Sequence, residues 1–351
     1  MRTFCSCVAT FRVQRLVLFL LLTLLLLGPA LRAPAAAAPL EIRLGSSTIV
    51  PLIFLGLMYN EPINRDLLRH YGKSYTVNEK PIDQTPIQVQ ALAAKEIDLG
   101  MLAPVSLANG VVNARLDIKV VADLGQEGIE NHAIIRYGVL ETSGIKTVRD
   151  LKGKVCNIFA FGTATDMVFR AMLHKAGMDT VRDVQTLQGE FATQEAMLRE
   201  GKVQCAAFVP PFSVLALRRG GIRFLFNTSD AIGPYQTLFL VGRTEELTKH
   251  RDAYNDFFED YVRAWNWYIN PANKPAVMAA AAKRMKRPAE AFAWYGGEFD
   301  YYRGPNAIPN IEALQRNIDL SAELKFAKGR IEAKKYTDLS FVQRAAGIVA
   351  K

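Results

Sequence analysis

The chain has 351 residues, of which 50% are hydrophobic and 22% charged, with 24 glycines and 16 prolines. This balance is typical of globular proteins and excludes collagenous, low-complexity and disulfide-scaffold classes. The length is sufficient for two domains at roughly 100–200 residues per domain. The 43 lysines and arginines outnumber the 34 acidic residues, so the formal net charge is +9.

The first 37 residues have the three-part pattern of an export signal. Arg2, Arg12 and Arg15 precede an apolar run over residues 16–27, and a small-residue tract with an A-x-A cleavage site follows over residues 33–38. The apolar run is shorter than the roughly 20 residues that a spanning helix needs. We therefore predict a signal peptide over residues 1–37 that is removed by cleavage after Ala37.

Removal of this segment weakens the case for a nucleic-acid partner. It takes away four of the 43 basic residues and none of the 34 acids, which leaves a net charge of 39 − 34 = +5. The basic cluster over residues 283–287 has no interleaved aromatic residues and is typical of a solvated helix end. We therefore expect no nucleic-acid partner.

The sequence carries none of the usual catalytic or metal-binding motifs. It contains no G-x-S-x-G, Walker A or H-E-x-x-H pattern, and its four histidines lack metal-ligand spacing. We expect no cofactor and no bound metal. Cys156 and Cys205 lie in apolar strand-like runs and either pair in an oxidising compartment or stay reduced and buried, the interpretation that we favour.

Strand-like and helix-like runs alternate along the rest of the chain. Predicted strands cover residues 41–45, 75–79, 97–102, 118–124, 155–159, 184–187, 203–209, 221–226 and 238–243, and predicted helices cover residues 50–60, 85–95, 105–114, 165–176, 193–200, 211–218, 253–269, 274–285 and 311–327. Strands that alternate with helices of this length predict parallel sheets covered on both faces. The pattern restarts after residues 133–140, which predicts a second set.

We therefore predict an α/β fold with two lobes, each a mostly parallel sheet flanked by helices, joined by a two-segment hinge. The predicted lobe one comprises residues 38–135 and 240–351, and the predicted lobe two comprises residues 136–239. In open α/β sheets ligands bind at the carboxyl ends of the strands. Two lobes that face each other through those ends enclose a cleft, and hinge closure then sequesters the ligand.

Several short motifs occur in a characteristic order. T-x-x-D-L-K-G-K occupies residues 147–154, G-T-A-T occupies 162–165, and E-A-M-L-R-E-G-K-V occupies 195–203, followed by P-F at 211–212 and G-G at 220–221. With residues 89–98 upstream and 309–320 downstream, this order resembles the nitrate/alkanesulfonate/taurine group of periplasmic substrate-binding proteins of ABC transporters. The resemblance covers most of residues 41–345. Pro210 stands where that family often has an aspartate.

The resemblance implies a periplasmic-binding-protein type II fold, a periplasmic location and a function without catalysis. The expected partners are a small-molecule ligand and the membrane permease of an ABC transporter, and the protein is expected to be a monomer. A small organic anion of sulfonate or carboxylate type is the first choice of ligand, and an uncharged or cationic heterocycle is the second. The alternatives are a same-fold enzyme of thiamin-precursor or menaquinone type and a sensor partner.

The candidate ligand-binding residues follow the ends of predicted strands in both lobes. They are Ser46, Ser47, Thr48, Gln84, Thr85 and Pro104 in lobe one, and Phe161, Gly162, Thr163, Ala164, Thr165, Glu190 and Phe212 in lobe two. Hydroxyl and N–H groups at helix N-termini suit an anion or a polar head group. Plain helix capping is the alternative role for the serines and threonines. The late aromatic residues, Tyr301 among them, are typical of core, although one ring could cap the cleft.

Overall fold

The order in which the ten described strands pair determines which strand ends meet between the two sheets. The computed structural model describes residues 38–48, 54, 58–59 and 67–350, so the predicted signal peptide and most of the helix predicted over residues 50–60 lie outside the described residues. The described strands are β1 (Leu40–Ser46), β2 (Tyr75–Pro81), β3 (Leu99–Leu102), β4 (Ile118–Glu127), β5 (Arg136–Leu140), β6 (Val155–Ile158), β7 (Gln185–Gln188), β8 (Cys205–Phe208), β9 (Ile222–Asn227) and β10 (Tyr235–Arg243).

The α-helices alternate with the strands up to β10 and then follow one another. Those described are α1 (Thr85–Ala93), α2 (Pro104–Val112), α3 (Ala164–Lys175), α4 (Phe191–Arg199), α5 (Phe212–Arg219), α6 (Thr228–Ala231), α7 (Thr244–Lys249), α8 (Arg251–Ile269), α9 (Lys274–Met285), α10 (Ile311–Glu323) and α11 (Ser340–Val349). The late aromatic residues predicted as core are largely buried, with Trp265 fully enclosed on α8. Its ring meets that of Phe54 edge-on at 5.2 Å between centroids.

The first sheet has the strand order β2-β1-β3-β10-β4. Strand β1 pairs in parallel with β2 and β3, whereas β10 pairs antiparallel with both β3 and β4. Four strands therefore run in one direction and β10 runs against them. All nine residues of β10 are buried, as expected for a central strand covered on both faces.

The second sheet repeats this arrangement with the order β7-β6-β8-β5-β9. Strand β6 is parallel to β7 and β8, and β5 is antiparallel to β8 and β9. Cys156 and Cys205 face each other in register on β6 and β8, and both are buried and free. The prediction of two mostly parallel α/β sheets is confirmed, with one reversed strand in each sheet.

Both reversed strands come directly after the chain crosses between the sheets. The chain leaves the first sheet at the carboxyl end of β4, and it leaves the second sheet after α6. At each crossing the chain enters the other sheet at the carboxyl ends of that sheet's parallel strands. Strands β5 and β10 must therefore run in the opposite direction to those strands. Strand β10 pairs with the first sheet from Tyr235 onward. The predicted lobe boundary between residues 239 and 240 stays a prediction; both residues lie in β10, which pairs only with strands of the first sheet.

A buried carboxylate joins the two crossing segments. Glu127 ends β4 and is fully buried. Its Oε2 accepts hydrogen bonds from the backbone N–H groups of Ile134 at 2.8 Å and Ile135 at 3.0 Å, and from the Thr228 hydroxyl at 2.6 Å. Its Oε1 accepts the hydroxyl of Thr237 on β10 at 3.0 Å. Burial raises the pKa of Glu127, and these donors act against that rise.

The two crossing segments also touch directly. Gly128 has a φ of 69°, which favours glycine, and a Cβ at this position would overlap the carbonyl oxygen of Gly233 on the other segment. Glycine is therefore required where the segments approach each other.

Replacement of Glu127 by leucine is expected to lower the free energy of unfolding by about 3 kcal/mol or more, because buried donors left without an acceptor cost about 1–3 kcal/mol each. Urea denaturation measures this loss. Glu141→Leu is the control, since Glu141 is exposed and its change should stay within about 0.5 kcal/mol. Wild-type stability in Glu127→Leu would contradict the bridging role of Glu127. Glu127→Gln, which keeps one oxygen acceptor, should lose less.

A second fully buried acid, Asp123, lies on β4 between donors from two strands. Its carboxylate accepts hydrogen bonds from the Gly125 N–H at 2.9 Å, the Gln126 side-chain amide at 2.8 Å and the Gln236 side-chain amide at 2.7 Å. Burial outweighs these bonds and raises the pKa of Asp123 from 3.8 to about 6. The folded protein thus favours the protonated acid more than the unfolded chain does.

Asp123→Asn should therefore become more stable relative to the wild type as the pH rises. The wild-type contribution of a group with a raised pKa is complete below its unfolded pKa and is lost as the pH passes through the folded value. For a rise of the Asp123 pKa from 3.8 to about 6, the wild-type free energy of unfolding falls by about 3 kcal/mol. Denaturant unfolding of both proteins between about pH 4 and pH 8 tests this sign. A stability difference that does not change across this interval would show that Asp123 is ionised throughout.

Candidate ligand-binding site

A small cavity lies where the carboxyl ends of the strands of both sheets meet. About 50 Å³ is open to the centres of water-sized spheres, which is room for a few water molecules. Its lining residues are Asp83, Thr85, Met101, Ile135, Phe159, Thr163, Ala164, Thr165, Phe191, Val209, Leu238 and Tyr301. Both lobes contribute to this lining, as expected for a ligand site at the ends of facing sheets.

The walls of the cavity are largely apolar. Phe159 and Phe191 stack with their ring centroids 4.7 Å apart and their planes 8° from parallel. Aliphatic side chains from β3 and β10, and from residues next to β5 and β8, complete this surface. Among the described residues that line the cavity there is no lysine, arginine or histidine. The walls therefore suit an apolar molecular body, and any ligand charge must be met by dipoles and hydrogen bonds.

Three helices begin at lining residues of the cavity: α1 at Thr85, α3 at Ala164 and α4 at Phe191. None of the three has a side-chain hydrogen bond capping its N-terminus. The first N–H groups of a helix have no intrahelical partner, and its dipole is positive at that end. The starts of α3 and α4 therefore offer donors to a ligand, and at Thr163 the capping alternative does not apply. The start of α1 offers fewer, because Pro86 has no N–H group and the Ile87 N–H donates to the carbonyl oxygen of Gln84.

The hydroxyl of Thr163 makes other bonds instead. It donates to the carbonyl oxygen of Ala160 at 2.7 Å and lies 2.9 Å from the hydroxyl of Thr165. Because a hydroxyl has one hydrogen, Thr165 must be the donor to Thr163. The hydrogens of both threonine hydroxyls are therefore committed within lobe two.

A second hydroxyl pair connects the lobes. The hydroxyl of Ser106 on α2 donates to the carbonyl oxygen of Gly162 at 3.0 Å, and it lies 2.7 Å from the hydroxyl of Thr85. By the same argument Thr85 donates to Ser106. This chain links α1 and α2 of the first lobe to the loop before α3 of the second.

The predicted loop of lobe one contacts an acid that sequence reasoning missed. The Ser47 hydroxyl donates to Asp83 Oδ1 at 2.9 Å, the Thr48 N–H donates to the same oxygen at 2.6 Å, and the Thr48 hydroxyl donates to Oδ2 at 2.8 Å. The Ser46 hydroxyl is buried and has no hydrogen-bond partner among the described residues. Asp83 thus stands between this loop and the cavity that it lines.

The structure places four of the predicted site residues in the cavity lining: Thr85, Thr163, Ala164 and Thr165. Nine lie beside it or further away: Ser46, Ser47, Thr48, Gln84, Pro104, Phe161, Gly162, Glu190 and Phe212. Phe161 is 44% exposed, and Glu190 immediately precedes α4. Pro104 and Phe212 are the first residues of α2 and α5.

Sequence reasoning missed most of the apolar lining. Met101, Phe159 and Leu238 lie in or directly after strands, where a ligand wall and a core produce the same hydrophobic pattern. The sequence signal that could have identified them as lining residues was their position near the ends of predicted strands. Tyr301 lines the cavity as one of the late aromatic residues, and its ring lies against Gly125, where a Cβ would overlap it.

Residues 76–274 match the NMT1/THI5-like family model, which is more than half of the chain, so the chain belongs to the NMT1/THI5-like family. A curated protein of Brucella abortus, named as a binding protein, is 32% identical over 126 residues. That match spans only 36% of either chain. An Escherichia coli protein named as an aliphatic-sulfonates-binding protein is 26% identical over 255 residues, which are 71% of this chain and 74% of that protein.

Solved structures share the two-lobed fold. The alkanesulfonate-binding protein of Xanthomonas axonopodis bound to MOPS superposes with a TM-score of 0.69 at 19% identity, covering 87% of this chain and all of that one. A desulfurization enzyme superposes with a TM-score of 0.61 at 11% identity, covering 88% and 99%. The predicted fold and family resemblance are therefore confirmed. Among the described helices, none combines the length and hydropathy needed to cross a bilayer.

Ser106→Ala should shift the ligand-free protein toward more open forms, because it removes the hydrogen bond that joins α2 to Gly162. One hydrogen bond contributes about 1 kcal/mol, so the open-to-closed ratio should rise about fivefold. Small-angle X-ray scattering reports this change as a larger radius of gyration. Ser143→Ala is the matched control, since the Ser143 hydroxyl bonds only within its own turn. Identical scattering from all three proteins would contradict the link.

Proposed function

We propose that the protein is a periplasmic solute-binding protein that captures a small organic anion between its lobes and delivers it to the permease of an ABC transporter. The observation that carries this proposal is that the uncapped N-termini of α3 and α4 meet at one apolar cavity. Uncapped N–H groups and helix dipoles favour an acid group, and the apolar walls favour its organic body. Membership of the family and the names of the sulfonate-binding relatives support the same ligand class.

The chemistry of the lining favours binding over catalysis. The hydroxyl hydrogens of Thr85, Thr163 and Thr165 are donated to fixed acceptors. No described lining residue is a cysteine that would act as a nucleophile, or a histidine or lysine that would activate one. A receptor needs only a shaped site and a hinge. The lobes that we propose contain β1–β4 with β10, and β5–β9, with the crossing segments at residues 128–135 and 232–234 as the hinge.

A thermal-shift screen of residues 38–351 tests the function. Aliphatic and aromatic carboxylates, sulfonates, nitrate and uncharged pyrimidines form the panel. A ligand present at a hundred times its Kd stabilises the folded protein by about 2.7 kcal/mol, which raises the melting temperature measurably. We expect organic acids to raise it and uncharged heterocycles to leave it unchanged. Stabilisation by the uncharged compounds alone would overturn the anion proposal, and turnover of a bound acid would favour the enzyme alternative.

Ala164→Pro then tests the helix N-terminus without breaking the helix. Proline is favoured at the first helical position, and the extended backbone of Thr163 is compatible with a following proline. The substitution deletes one N–H group at the cavity, so we expect acids to bind about tenfold more weakly or worse. Ala164→Val adds the same number of carbon atoms and keeps the N–H group. Equal loss in both variants would assign the effect to bulk rather than to the donor.

A further inference from the structure

Asp83 brings a negative charge to the first-lobe wall of the cavity. It lies between β2 and α1, is half-buried and lines the cavity directly. Its two oxygens accept three hydrogen bonds from Ser47 and Thr48. A carboxylate has about four acceptor positions, and the described residues occupy three of those of Asp83.

The same carboxylate changes what the neighbouring helix can bind. Asp83 is two residues before Thr85, the first residue of α1, so its charge offsets the positive end of that helix dipole. The Ser47 hydroxyl and the N–H and hydroxyl groups of Thr48 also donate to Asp83 rather than to a ligand. The first-lobe wall is therefore unfavourable for an acid group and favourable for a hydrogen-bond donor.

The second-lobe wall has the opposite character. Ala164 and Phe191 begin α3 and α4 there without side-chain caps. Asp166, the acid in the first turn of α3, is paired with Arg170 at 2.8 Å, so its charge is offset within the helix. Uncapped backbone N–H groups therefore face the cavity from lobe two, and Glu190, the acid directly before α4, is exposed and does not line the cavity. From lobe one the Asp83 carboxylate faces the cavity, next to Thr85, whose hydroxyl hydrogen is donated to Ser106.

From this asymmetry we infer that Asp83 is a specificity-determining residue, and that the ligand is an organic acid carrying an amino or hydroxyl group at the end opposite its acid group. This inference rests on the proposed function. The acid group binds at the second lobe, the apolar body lies along the stacked rings of Phe159 and Phe191, and the amino or hydroxyl group donates to Asp83. A second acid group at that end is repelled.

Two matched ligand series test the inference by isothermal titration calorimetry. One compares benzoate with its para-hydroxy and para-amino derivatives, and the other compares ethanesulfonate with its hydroxy and amino derivatives. In the series that binds, we expect the wild type to bind the donor-bearing acid at least about tenfold more tightly than the plain acid. Equal affinity within that series would overturn the role of Asp83 and leave the proposed function standing. If no acid of either series binds, it is the proposed function that fails.

Variants assign the preference to Asp83. Asp83→Asn keeps an oxygen acceptor for Thr48 but removes the charge, so it should lose the preference for the amino derivative and bind the plain acid at least as well. Asp252→Asn removes an exposed acid at the start of α8 and should behave as the wild type. Melting temperatures confirm that both variants are folded. A preference retained in Asp83→Asn would overturn the inference, and the wild-type comparison decides independently if that variant does not fold.

Discussion

The four hydrogen bonds to the buried carboxylate of Glu127 are the constraint on which the rest of the structure depends. They draw together the end of β4, the segment that enters β5, the start of α6 and the strand β10. A buried charge is tolerated only when its oxygens are well satisfied. The two crossings are therefore held in one arrangement. Ile135 and Thr237 bond to this carboxylate, and Ile135 and Leu238 line the cavity, so the candidate ligand site lies next to the two crossing segments.

The cavity owes its character to a division of hydrogen-bonding roles. The threonine hydroxyls give their hydrogens to neighbouring acceptors, and one such chain ends across the lobe boundary on Gly162. What distinguishes the two walls is the uncapped backbone N–H at the starts of α3 and α4 on one side and the Asp83 carboxylate on the other. The site is therefore suited to select a ligand by hydrogen bonds to its polar ends rather than by pairing its charge with a cationic side chain. This agrees with the lack of a cationic side chain in the described lining.

Much of the fold was predictable because local patterns dictate local elements. The helix predicted over residues 274–285 is observed as α9 with the same bounds. The reversal of β5 and β10 was not predictable, since hydrophobic periodicity has no direction. Asp83 had no signal of its own, because an acid between a strand and a helix is usually a solvated loop residue. Phe159 and Leu238 could not be distinguished from core residues, since a side chain that packs against a ligand and one that packs against the protein produce the same hydrophobic pattern in the sequence. Glu127 meets partners about a hundred positions away, a relation that no window of sequence contains.

The adjacency of the two crossing segments also has a consequence for engineering. Tyr235 is paired with Glu127, and Gly128 lies against Gly233, so the second lobe leaves and rejoins the first at neighbouring points. The second lobe is therefore an insertion into the chain of the first lobe, and the two ends of the insertion lie close together. Insertions whose ends lie close together are the ones that folds tolerate best. The same point therefore offers a place to graft a reporter domain or to exchange recognition modules between relatives.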